Sequence, residues 1–459
     1  MEGDGVKRAV VVVAGDDDDD ELFELDIAML DRHYYHHQLD DDDRIRSEGE
    51  GEEDGGGDAL LANCLLPFPD LFSSAAVCAS WRATFRALFG LGIYTRPQTL
   101  CLFYTSTAAG ARVSELYSVA AGMSYTLPDL PDPPITERYI FGASHGWLVT
   151  ADARSELHLL NPATGEQVEL PSITSVEHVA AVLDGADELV RYDLSFYGTV
   201  IPRRETQPPQ PYGLDELREV LYIKVVLSCD PSRCGAGDDY VVMLIHNPNR
   251  QLSFARVIGL GGGERRWHWV SNSLPCAEYS DCIYHDGAFH AMILQGRIHR
   301  YTIQGSRAKL DVVFEDTLPY IADHMYVART SSGNLLQIWR ITDDPTDELP
   351  EMHTLDFDIY KIDFDKQDIL NIDTLGDDAF IVGNSYTCFL STMDFPKLLP
   401  GCVYFNEHSE YWLMDSKDTR KDIGIYSFED KSVQELVSPH PGLTWPNPIW
   451  IMLSFTKIK

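Results

Sequence analysis

At 459 residues with a normal apolar share of 44%, the chain can hold one large domain with appendages or two to three ordinary ones. Charge is the abnormal quantity: the net is −36, and 21 acidic against five basic residues in 1–58 place −16 of it there, leaving −20 spread over the rest. A surface this acidic repels phosphate backbones, which argues against nucleic acid as a direct ligand and leaves basic protein surfaces as the easier partners.

The first 57 residues carry DDDDDE, DDDD and EGEGEEDGGG. Like-charge runs with glycine cannot bury enough apolar surface to offset ordering entropy, so this segment is expected to be a disordered acidic tail. HYYHHQLDDDD (33–43) mixes His and Asp but has nothing to fix a coordination geometry, and it reads as a solvated tract. AVVVVAG (9–15) is too short for a signal-peptide core, and no window reaches the ~18 apolar residues that a membrane span needs.

A helical segment follows. Asp70 can cap a helix whose stripe is Leu71, Ala75, Cys78, Phe85 and Phe89, interrupted by Arg82, with Phe72, Ala76, Val77, Trp81 and Leu88 on a second side. Arg82 and Arg86, one turn apart, mark the wet face. Such a helix buries one apolar side in its own domain and leaves the other to meet a partner.

After about residue 97 the texture changes to short β-rich runs such as LCLFY, GWLVT, YIKVVLS, YVVMLI, AFHAMIL, LLQIWRI, AFIVG, CVYF and IGIYSF, punctuated by Gly, Asn, Asp and Pro. A loose unit of turn, strand, turn, strand recurs at 145–171, 285–314, 331–373 and 407–437. Spacings of roughly 40–60 residues fit propeller blades of about four strands. The expected architecture is therefore mainly β, a single propeller of about six to seven blades; a pair of β-sandwiches is the competing form. PQPYGLDELREV (209–220) reads as a loop with a short helical turn between strands, and TWPNPIW (444–450) as the region that closes the ring.

Catalytic chemistry is not signposted. The chain has no GxSxG elbow, P-loop, GxGxxG after a strand, or HExxH. GLGGGE (259–264) reads as a hairpin loop, Asp343/Asp344 and Asp377/Asp378 as turn residues, and His285, His290 and His299 as strand residues on adjacent strands. Nine cysteines, an odd number on a long chain, are not a disulfide framework, and Cys229/Cys234 and Cys276/Cys282 lack CxxC spacing. They read as buried thiols in a reducing compartment, the cytoplasm or nucleus. No cofactor, metal or catalytic residue is expected.

LPFPDLFSSAAVCASWRATFR (66–86) resembles the second half of an F-box, L-P-x-x-D-L-x-x-x-x-x-V-C-x-x-W-R, through Leu66, Pro67, Asp70, Leu71, Val77, Cys78, Trp81 and Arg82. GASHGWLVTADARSELHLLNPATGEQVELP, SDCIYHDGAFHAMILQGRIHRYTI, FPKLLPGCVYF and YWLMDSKDTRKDIGIYSFED resemble plant F-box proteins that carry domain of unknown function 295, a KIB-type, kelch-like β-propeller. The resemblance covers roughly 60–455 and implies an acidic tail over 1–57, a short α-helical F-box over 58–96 and a propeller over 97–459. It implies a substrate receptor of SCF-type ubiquitin ligases: the box docks on a Skp-family adaptor and through it a cullin, while the propeller holds an unidentified target protein. Such a receptor performs no chemistry itself; it supplies proximity. Leu65, Pro67, Leu71, Val77 and Trp81 are then the adaptor-facing or hook-stabilising set.

One departure bears on that reading. An F-box opens with a further L-P motif and a full first helix, whereas EGEGEEDGGGDALLANCLL stands here and only DALLANCLL (58–66) fits the tail of that helix. Losing roughly 150–200 Å² of adaptor contact is worth on the order of 4–5 kcal/mol as an upper bound, which makes the box partly degenerate. The alternative is a ligase-independent propeller scaffold with a non-functional F-box remnant.

Overall fold

Strands that are apolar on both faces need a neighbour on each side, and that requirement organises this chain into a ring. The structure is a computed structural model. It describes residues 100–454 apart from the connections 106–111, 120–121, 128–129, 198–206, 235–238, 259–264, 272–276, 316–323, 344–352, 384–386, 396–397, 407–420 and 436–447, together with the strands Arg8–Val11 and Phe23–Asp26. Those two strands pair antiparallel, with Arg8 opposite Asp26.

Six sheets are blades of a β-propeller. The first joins the two ends of the domain: Ile449–Met452 is its inner strand, followed outward by Leu100–Thr105, Ser114–Ser118 and Met123–Thr126. The second runs from Tyr139–Ser144 to Gln167–Glu169, the third from Tyr222–Leu227 to His268–Trp269, the fourth from Tyr279–His285 to Arg307–Phe314, and the fifth from His324–Arg329 to Asp368–Asn371. Each is a four-stranded antiparallel meander.

The sixth blade departs from the meander. Its order is Cys388–Ser391, Asp378–Val382, Cys402–Phe405, Gly424–Ser427, Ser432–Glu435, and Asp378–Val382 pairs parallel with Cys402–Phe405. The chain leaves Asp378–Val382, turns back as the inner strand and crosses over again, which leaves two strands running the same way.

A three-stranded sheet, Val179–Leu183, Leu189–Phe196 and Gln207–Tyr212, lies between the second and third blades in sequence but is not a blade. The inner strands of those two blades are in direct contact, and Ser144 Oγ accepts from Leu227 N across the seam at 3.3 Å. The sheet packs Val179, Tyr192 and Leu194 on the blades and exposes its outer edge, where Pro208, Pro209 and Pro211 remove the N–H groups that would invite another strand. The expected loop at 209–220 is thus a strand ending at Tyr212, with the helical turn at Leu217–Leu221.

Six apolar clusters fill the six seams between blades. The period-two geometry of a strand divides its residues between two of them. Ile449 and Ile451 face the second blade, while Trp450 faces the sixth with Leu100, Leu102 and Tyr404. The closed ring with one core per seam rules out paired sandwiches.

Candidate functional site: the mouth of the central channel

The carboxyl ends of the inner strands of the first, second, fourth and fifth blades meet the sixth-blade strand Cys388–Ser391 at one mouth of the channel. Below the mouth the axis is plugged by polar groups. Lys224 of the third blade places Nζ 2.5 Å from Asp281 Oδ1 of the fourth, with both side chains fully buried. Lys224 also donates to Gly383 O at 3.3 Å and Thr387 Oγ1 at 3.2 Å. Asp281 Oδ2 accepts from Val327 N at 3.0 Å and from Thr387 Oγ1 at 2.9 Å. The hub therefore ties four blades by charge-assisted bonds among buried side chains.

Above it lie two adjoining depressions that share Cys388. The larger, about 330 Å³, has Ile283, Tyr284, Phe389, Leu390 and Phe395 as its apolar lining and Arg329, Thr330, Ser331 and Asp394 as its polar lining. The smaller, about 130 Å³, is formed by the turn Ser144–Gly146 and the closing strand. Met393 stands 83% exposed beside the larger one. A volume at the low end of ligand pockets suits one or two side chains of a docked segment.

Burial favours the neutral form of two thiols and one imidazole around the mouth. Burial pushes the Cys388 thiol up to about 12, against the pull of Lys224, and raises Cys282 as well. Burial and then Arg329 lower His285, against Asp286. A protonated thiol is a poor nucleophile, so Cys388 serves the mouth as a lining group.

The closing strand is pinned beside this mouth. Asp230 accepts from Trp147 Nε1 at 3.1 Å through Oδ1 and from Ser454 Oγ at 3.2 Å through Oδ2, and Ser454 O accepts from Asn161 Nδ2 at 2.9 Å. One carboxylate thus joins the second blade, the third blade and the chain beyond the last strand.

The sequence-derived candidates fall as follows. Leu65, Pro67, Leu71, Val77 and Trp81, with the whole helical hook, lie outside the described residues, as do Trp412, Trp445 and GLGGGE (259–264). The strands flanking that last segment pair antiparallel, as its hairpin reading requires. Trp147, Trp267, Trp339 and Trp450 are core residues; Trp269 is half-buried against Gln251. His285 and His290 meet, with ring centres 5.9 Å apart, but His299 sits on the other face of the sheet against Tyr279 Oη. Among the described residues no group of three metal-ligating side chains converges, and no helix is long and apolar enough to cross a membrane. Sequence reasoning missed the hub, although a lysine inside the run YIKVVL signals a buried charge that needs a partner.

The description of the KIB1-4 beta-propeller family matches residues 116–427. F-box protein KIB3 of Arabidopsis thaliana is 27% identical over 112 residues, 24% of this chain and 24% of that protein, so the chain spans about a quarter of the length of the curated relative it matches. Similar solved structures include the β-propeller domain of Swd1 from Myceliophteria thermophila (11% identical, TM-score 0.26, 72% of this chain and 95% of that one). Another is a fungal alcohol oxidase of the AA5 family in complex with copper (11%, TM-score 0.25, 60% and 63%). Both scores are too low to bear on mechanism.

Proposed function

From the premise that the chain belongs to the KIB1-4 β-propeller family, we propose that it is the substrate-recognition subunit of an SCF-type ubiquitin ligase in the cytoplasm or nucleus. The observation that carries this reading is the conjunction of Leu66-Pro67, Asp70-Leu71, Val77-Cys78 and Trp81-Arg82 with a propeller of this family directly downstream. The similarity to a protein named as an F-box protein supports it. Leu65, Pro67, Leu71, Val77 and Trp81 dock the box on a Skp-family adaptor, which bridges to a cullin. The propeller holds the target protein, with the mouth beside Met393, Phe395 and Arg329 as its anchoring point. The receptor acts by raising the concentration of a target lysine near the charged conjugating enzyme, so its catalytic contribution is proximity.

Co-purification of the full chain with a Skp-family adaptor tests the reading, alongside a variant carrying Leu71→Asp and Trp81→Ala. The expected result is stoichiometric capture that the double substitution abolishes. A folded, unsubstituted chain that captures no adaptor would overturn the ligase role. The acidic, glycine-rich stretch in place of an opening F-box helix would then favour the second reading, a propeller scaffold independent of a ligase.

A further inference from the structure

Two thiols that the sequence spaces five apart are in contact. Cys229 and Cys234 flank the short turn Pro231–Arg233 in the connection that leaves the inner strand Tyr222–Leu227, and their Sγ atoms lie 2.7 Å apart. Unbonded heavy atoms normally settle at ~3.5–4.0 Å, so the backbone already holds the pair at bonding approach. Cys229 is half-buried and Cys234 buried. The residue between them that matters is Asp230. Its side chain caps the turn by accepting from Ser232 N at 2.9 Å, and it also holds Trp147 and Ser454.

We propose that Cys229 and Cys234 form a reversible thiol–disulfide site whose oxidant is a small-molecule disulfide of the glutathione class, and whose oxidation fixes the Asp230 turn that clamps the closing strand. The more accessible Cys229, as thiolate, attacks one sulfur of the oxidant; the S–S bond of the oxidant breaks and one glutathione thiolate leaves. Cys234, as thiolate, then attacks Cys229 in the mixed disulfide, the Cys229–Cys234 bond forms and the second glutathione thiolate leaves. The two protons given up by the cysteines are taken by the two glutathione thiolates, so two protein thiols and one glutathione disulfide become one protein disulfide and two glutathione molecules. The ring closed by the new bond contains Asp230. Its carboxylate is therefore held where Trp147 and Ser454 need it, and the bond joins the site to the stability of ring closure.

The site is tested on the full chain, reduced, equilibrated with glutathione disulfide, capped with an alkylating agent and cut with trypsin without reduction. Cleavage after Lys224, Arg233 and Arg250 places the two cysteines on separate peptides, 225–233 and 234–250. The expected product is those two peptides joined and lighter by two hydrogens, separating on addition of dithiothreitol. The oxidised chain is expected to melt at a higher temperature than the reduced one, with the rise absent in Cys229→Ser. Recovery of both peptides singly, each alkylated or each carrying glutathione, would overturn the site. Joined peptides without the rise in melting temperature would overturn the clamp. The map of the unsubstituted chain reads the bond whether or not the variant folds.

Discussion

At the scale of single residues, Lys224 is a costly choice for the propeller. A lysine on a strand whose other members are apolar and buried loses its hydration, and only a partner with matched hydrogen bonds offsets that loss. Asp281 is that partner, and its second oxygen is in turn filled by Val327 N and Thr387 Oγ1. Removing one charge strands the other. Lys224→Met is expected to destabilise the fold by roughly 3–5 kcal/mol, because Asp281 stays buried without its cation. Adding Asp281→Asn should return much of that loss, since the amide oxygen still accepts from Val327 and no charge remains. Equilibrium urea unfolding of the three proteins checks this; a Lys224→Met chain as stable as the parent would mean that the pair is not the linchpin of the channel.

At the scale of elements, what was legible depended on how local its cause was. The strands were legible because burial on both faces writes continuous apolar runs. The repeat units were legible because the turn between the inner and second strand carries a glycine in the left-handed region: Gly146 at φ +83°, Gly287 at +72° and Gly333 at +88°. Where that turn is replaced, the sequence marks no repeat unit at it. The third blade has the cysteine-bearing connection after Leu227, and the sixth has a crossover with a parallel pair. The inserted sheet was also missed, since prolines at 208, 209 and 211 mark a loop unless a neighbouring strand is known. Two of these glycines separate conformation from contact. A Cβ on Gly287 meets nothing within 4 Å, whereas one on Gly146 falls 2.5 Å from Ser454 N and 2.8 Å from Met452 O. Gly287→Ala should cost about 1–2 kcal/mol for its left-handed backbone. Gly146→Ala should cost that and a further ~1–3 kcal/mol for displacing the closing strand. Thermal melts compare them directly, and equal losses would refute a tight approach at residue 146.

At the scale of the whole molecule, the candidate site was illegible for a physical reason. Its lining comes from Ile283, Arg329, Phe389 and Phe395, which meet only when the fourth, fifth and sixth blades pack around the channel, and no local spacing encodes that. Ring closure itself rests on one strand. Ile449–Met452 pairs antiparallel with Leu100–Phe103, and its three buried side chains are shared by two seams, Ile449 and Ile451 on one side and Trp450 on the other. Burying them is worth roughly 6–9 kcal/mol, against about 5–15 kcal/mol for the net stability of an ordinary domain. Losing the strand also uncovers the edge of Leu100–Thr105, whose first five residues are buried and apolar, and an open edge of that kind pairs with other chains. Deletion of residues 440–459 is therefore expected to give insoluble protein, with the loss appearing as aggregation on expression rather than as a lowered melting point. A soluble truncation that melts cooperatively would show that the other four seams hold the ring without this strand. Ser454, Asp230 and Trp147 would then be decoration on a closure made elsewhere.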